Sequence, residues 1–184
     1  MTMENKLFMV LLGCKPAGRH TEQHDIFFGA APALAALIPA IKRFWPGAGS
    51  IHLDGWRFVT QVDGYCIAVK PGRHKAAGGP ALYFLNLGGY KPGELEEFHY
   101  KFLTVAASKA EATARAKQTL FYKHTGFGTE AVSHIDDKYG LDVDDIYDIE
   151  ELLPADRDFH LEITKQPGAE DELHLGYFPL KSIQ

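Results

Sequence analysis

The chain has 184 residues, 46% hydrophobic and 23% charged, with a formal net charge of −5 and two cysteines. These are ordinary globular proportions, which exclude disordered and fibrous classes and suffice for one core, or for two small halves sharing one. A negative balance with no basic run longer than Lys42-Arg43 offers no footprint for phosphate backbones, so nucleic acid is not an expected partner.

Leu7 to Leu12 is an unbroken apolar run stopped by Gly13, as in a strand covered on both faces. It is shorter than a signal peptide's core with its cleavage region, and no later stretch approaches the roughly 20 apolar residues of a membrane helix. A cytoplasmic protein without a membrane partner is expected. Lys15 to Thr21, with Pro16 and Gly18, is a loop, and His24 to Ala30 reads as a second strand. Pro32 then opens a helix in which Leu34, Leu37, Ile38 and Ile41 form one apolar stripe, kinked or shortened by Pro39. Ser50 to Thr60 alternates as a strand, and the Asp63-Gly64 turn leads into Tyr65 to Val69, which predicts a hairpin. Lys70 to Pro80 is a linking segment.

The second half repeats the plan. Leu82 to Leu87 reads as a strand followed by Gly88-Gly89, where a tight turn is favoured over an anion-cradling loop. Ser108-Lys-Ala-Glu111 is a capping box ahead of a helix over 110–120. Asp144 to Leu153 suits a short helix or a degenerate hairpin. Phe159 to Ile163 and Leu173 to Tyr177, around Pro167-Gly168, predict a terminal hairpin. Cys14 and Cys66 have neither zinc nor disulfide spacing and read as buried free thiols.

The halves echo one another in detail. Leu82 to Gly89 repeats Leu7 to Cys14, and Glu97-x-His99 repeats Glu22-x-His24, both at an offset of 75. Farther on, His134-x-Asp136 and the Asp144 to Ile149 stretch repeat His52-x-Asp54 and Val62 to Ile67 at an offset of 82, which implies a seven-residue insertion. One register kept through a strand and a polar motif argues for duplication. The expected fold is α+β: a duplicated strand-strand-helix-strand repeat with pseudo-twofold symmetry and a C-terminal hairpin. Residues 1–75 form the first repeat, and 76–184 the second with the hairpin, around one shared core.

Four His–carboxylate pairs carry the chemistry: Glu22/His24, His52/Asp54, Glu97/His99 and His134/Asp136. One residue separates each pair, so on a strand both side chains share a face. Imidazole with carboxylate suits zinc, manganese or iron, and a carboxylate beside a histidine also fixes its tautomer for acid/base work. Structural clamps, in which each histidine bonds nearby backbone, account for the same residues. No serine or cysteine sits in a nucleophile elbow.

Gly13-Cys14, His24-Asp25, His52-x-Asp54-x-Trp56, Leu82 to Tyr90 and Glu97-x-His99 together resemble a bacterial family, domain of unknown function 1543, over roughly residues 7 to 150. Cys14 stands where the second Gly of Gly88-Gly89 would be expected. The resemblance brings no activity with it. Trp56, Asn86 and Tyr90 are the candidate ligand-binding positions beside the eight candidate metal ligands. The leading reading is a divalent metal or small-molecule site, and the alternative is a non-catalytic homodimeric scaffold in which the pairs are clamps.

Overall fold

A computed structural model describes residues 4–73, 78–90, 94–123, 134–135 and 140–184. In chain order the elements are β1 (Lys6–Cys14), β2 (Gln23–Ala31), α1 (Ile38–Phe44), β3 (His52–Phe58), β4 (Gln61–Val62), β5 (Tyr65–Pro71), β6 (Ala81–Tyr90), β7 (Glu97–Ala106), α2 (Lys109–Lys123), β8 (His134–Ile135), β9 (Gly140–Asp148), α3 (Ile149–Leu152), β10 (Phe159–Lys165) and β11 (His174–Pro179). The fold is α+β, with three sheets and few helices. Residues 1–75 and 153–184 make one unit, and residues 76–152 a second.

In the first unit one sheet has the order β11-β3-β1-β2 and a smaller one the order β10-β5-β4. β1 is an inner strand of its sheet, and Leu7, Phe8, Val10 and Leu12, from both of its faces, are buried. Phe8, Val10 and Leu12 from one of those faces join Phe27, Leu53, Leu37 and Ile41 in a buried cluster, so the Leu34 to Ile41 stripe meets the core as its spacing predicts. Of the two expectations for Pro39, the helix is shortened rather than kinked, running only from Ile38 to Phe44. Leu34–Leu37 is a separate 3-10 turn, and Pro39 sits in the first turn of α1, where its missing N–H has no intrahelical partner to lose.

Asp63 and Gly64, with φ of 54° and 75°, form the expected turn, but it joins β5 to the two-residue β4 rather than to β3. A second correction concerns the terminal hairpin: β10 and β11 do not pair with each other. β10 runs antiparallel to β5 from Phe159↔Pro71 to Lys165↔Tyr65, and β11 runs antiparallel to β3 from His174↔Trp56 to Pro179↔His52. The tail therefore retraces residues 52–71 in reverse. Asp171 fixes the crossing point, accepting hydrogen bonds from the Thr60 amide (2.7 Å), the Thr60 hydroxyl (2.6 Å) and the Gln61 amide (3.0 Å). The anchor sits between the two strands, where the tail passes from β5 to β3.

The second unit has one sheet, β7-β6-β9-β8, with Leu85, Leu87, Tyr83, Ala106, Ala112 and Ala116 in its core. The alanines bring α2 close to the sheet. The capping box forms, with the Glu111 amide donating to Ser108 Oγ at 3.2 Å. The Glu111 carboxylate accepts from the Ala107 amide at 2.8 Å, one residue earlier than the standard pattern. Gly88 and Gly89 are not a turn. They lie inside β6, opposite His99 and Phe98. Asp144 to Leu153 is the end of β9 followed by α3, so neither a lone helix nor a hairpin describes it.

The two central strands have matching surroundings. β1 pairs with β2 through Gly13↔His24, and β6 pairs with β7 through Gly88↔His99. The pairing of β1 with β3 slips between Leu11 and Leu12, leaving Asp54 as the extra residue. The pairing of β6 with β9 slips between Asn86 and Leu87, leaving Asp144. Gly13 lies opposite His52, and Gly88 lies opposite Asp142. The residue opposite Gly88 on the neighbouring strand is thus Asp142, 90 residues after His52, and not His134. His134 lies on β8, paired in parallel with β9 at Gly140, and the sequence echo at offset 82 does not follow the pairing.

Candidate functional site

Gly13 is flanked across the sheet by His24 on β2 and His52 on β3. Strand alternation puts all three on the face opposite Leu12 and Leu53, away from the α1 core. Asp54 joins them through the slip in register, since an extra residue on one strand re-aims its side chain. Glu22, just before β2, completes a quartet.

The four side chains close a ring of contacts. Asp54 reaches both imidazoles, His24 Nε2 at 3.1 Å through Oδ2 and His52 Nε2 at 3.2 Å through Oδ1. Glu22 does the same from the other side, with His52 Nε2 at 3.1 Å from Oε1 and His24 Nε2 at 3.8 Å from Oε2. The floor of the ring is closed and its mouth open, for the His52 side chain is 5% exposed and that of His24 44%. His52 Nε2 and Asp54 Oδ2 are buried, yet neither has a partner aligned for a hydrogen bond. Each therefore meets oppositely charged or polar atoms at contact distance without the N–H···O geometry that would satisfy it.

Gly13 makes the space. A Cβ there would stand 2.5 Å from both Asp54 Oδ2 and His52 Nε2, closer than any real contact. A glycine inside a strand often marks such an approach, and this was the available signal that a reading of Gly13 as a strand stop passes over. Beside it, Cys14 is fully buried and free. Burial, and then the negative charge of Glu22, push its thiol up, so it stays a neutral neighbour of the quartet. Among the described residues no group of three or more His, Cys, Asp or Glu is placed so that it could hold a metal ion as it stands. The quartet meets instead through pairwise contacts.

The remaining candidate residues fall elsewhere. Glu97 and His99 lie in the second unit, 3.7 Å apart and well exposed, with Asn86 Nδ2 3.3 Å from His99 Nδ1. Tyr90 ends β6 opposite Glu97. His134 is described only by its place on β8, and Asp136 lies outside the described residues. Trp56 does not wall the quartet. It stacks on His174 (ring centroids 4.0 Å apart, planes 18° apart) and packs against the Phe8 cluster. The residue that sequence reasoning missed is Tyr177 of β11, whose ring lies 4.3 Å from that of His52. Nothing in its spacing connects it to His52, because only the retracing tail brings the two together. Backbone clamping by histidine does occur in this protein, but at His160, whose Nδ1 is 2.7 Å from the Gly72 carbonyl. No helix among the described residues is long and apolar enough to cross a membrane.

No curated protein matches the chain. Among solved structures, the crystal structure of protein Il1583 from Idiomarina loihiensis is 27% identical, covering 96% of this chain and 98% of that one with a TM-score of 0.56. The family model for Domain of Unknown Function (DUF1543) matches residues 19–69, a stretch that holds Glu22, His24, His52 and Asp54. The likeness to that family rests on this stretch.

Proposed function

We propose that Glu22, His24, His52 and Asp54 bind a divalent transition metal in the first unit. The observation that carries this reading is the buried His52 Nε2, which faces two carboxylates at 3.1 and 3.2 Å with no aligned hydrogen bond. A cation between lone pairs satisfies such an arrangement, whereas without one the buried Nε2 has no aligned partner in either protonation state. Donors held about 2.0–2.1 Å from a tetrahedral ion stand roughly 3.3 Å from one another, close to the spacings of this ring. Ligation would require these side chains to turn from their pairwise contacts toward one common point. Two imidazoles with two carboxylates suit zinc, manganese or iron.

Protein purified without chelators should then contain a divalent transition metal by elemental analysis, and chelation should lower its melting temperature. An ion at a hundred times its Kd stabilises the folded state by about 2.7 kcal/mol. His24→Ala, at an exposed position, should abolish both effects while keeping the fold. Metal-free protein whose melting does not respond to added zinc, manganese or iron would sink the proposal.

We further infer that the two units descend from one duplicated segment. The matched Gly13↔His24 and Gly88↔His99 pairings, and the slips at Asp54 and Asp144, support this. On this reading Glu97 and His99 belong to a lesser copy of the site, completed at the positions of Asp142 and Asp144 rather than His134 and Asp136. A second functional reading, a homodimeric scaffold, draws on one feature: Leu175 and Tyr177 on the outer strand β11 are 73% and 68% exposed. A dimeric molar mass by light scattering, lost in Leu175→Lys, would favour it.

A further inference from the structure

The tail contributes to the quartet at one point. β11 follows β3 through His174↔Trp56 and Leu175↔Gly55, then slips and resumes at Phe178↔Leu53 and Pro179↔His52. Gly176 and Tyr177 fall in the slip, on the stretch where β3 carries its own extra residue, Asp54. Gly176 has φ of 146°, in the region that favours glycine, and the Phe178 ring fills the space a side chain there would need. The two irregularities turn Tyr177 out of register and set its ring over His52, with centroids 4.3 Å apart and planes inclined by 37°. Phe178, its neighbour, packs on the opposite, apolar face.

Burial alone does not account for this placement, since Tyr177 remains 68% exposed. An imidazole bound to a divalent cation carries part of its charge, and the negative face of a phenol ring stabilises a cation placed over it. The stack also limits rotation of the imidazole, which must keep Nε2 toward Glu22 and Asp54 to ligate. Residues that orient a ligand in this way commonly govern metal affinity. Resting on the metal reading above, we propose that Tyr177 is a positioning residue of the quartet: its ring holds the His52 imidazole in the ligating orientation and favours the metal-bound form. Among the described residues the second unit has no antiparallel strand on the outer edge of β9, which is followed by β8 in parallel pairing.

The test compares wild type, Tyr177→Phe and Tyr177→Leu in cobalt(II) titrations followed by visible absorption and calorimetry. Tyr177→Leu should weaken cobalt binding by roughly 10–100-fold and alter the ligand-field bands, whereas Tyr177→Phe, which keeps the ring, should match wild type. Melting temperatures of the chelated proteins should agree, which separates positioning from a general loss of stability. Wild-type affinity and bands in Tyr177→Leu would overturn the inference while leaving the metal site standing. A wild-type protein that binds no cobalt would remove both. Without metal, the ring protons of His52 should show an upfield ring-current shift by NMR that disappears in Tyr177→Leu. A shift unchanged by the substitution would refute the stack itself.

Discussion

Gly13 controls the quartet by having no side chain. Its backbone is ordinary strand, so Gly13→Ala leaves the conformation permitted, but the added methyl would fall within 2.5 Å of Asp54 Oδ2 and His52 Nε2. These are ends of side chains rather than backbone, and they can move only by breaking the ring of contacts. Gly13→Ala should therefore abolish metal retention while the circular dichroism spectrum stays that of wild type. Retention of metal by this variant would mean that the quartet does not ligate as a unit. Asp171 acts through bonding rather than space. Asp171→Ala strands the amides of Thr60 and Gln61 together with the Thr60 hydroxyl, and should cost about 1–3 kcal/mol in denaturant unfolding. A change near zero would show that water replaces all three bonds.

Among the elements, α2 has the clearest chemistry. Ser108→Ala removes the cap on the Glu111 amide and should destabilise the protein by about 1 kcal/mol. The Glu111 carboxyl is held below its ordinary range, first by the Ala107 amide and then by Arg115, whose guanidinium lies 2.6 Å away. Because folding lowers this pKa, the contribution is complete above the unfolded value of about 4.3 and is lost as pH falls through the lower folded value. The melting-temperature gap between wild type and Glu111→Gln should accordingly be steady near neutrality and close in strong acid; a gap that persists in acid would assign it to packing. The cap was legible in the sequence because its determinants lie within four residues. So was the Leu34 to Ile41 stripe. The strand glycines were not, since a Gly after an apolar run reads as a stop until cross-strand neighbours are known, and the same holds for Asp54, whose extra place exists only in the pairing.

Across the whole chain, sequence reasoning found the opening strands of the two halves and the two pairs that meet in the first unit. It misplaced the tail and the partner of His52. Local spacing favours a hairpin over 159–177, whereas the pairing is decided by edges offered 88 to 127 residues earlier, from Phe159↔Pro71 to Pro179↔His52. Likewise the offset of 82 follows the letters of His134-x-Asp136, while the strand that lies beside β6 supplies Asp142 and Asp144. With β11 paired along the outer edge of β3, amides of the two strands should open to hydrogen exchange together. Separate exchange of β11 would show that the tail frays independently.

The retracing tail also sets an order of events during synthesis. The ribosome delivers β1 to β5 first, then all of residues 76–152, and only afterwards the strands that complete the first unit. At about 5–20 residues per second, β3 waits several seconds with an unpaired edge while a complete second sheet is made between the two parts of its own unit. An open edge of that kind recruits other strands, and the nascent chain is most exposed to misassembly in this interval. The second unit acts here as a delay inserted into the folding of the first, so slower translation through residues 76–152 should lower the yield of native protein.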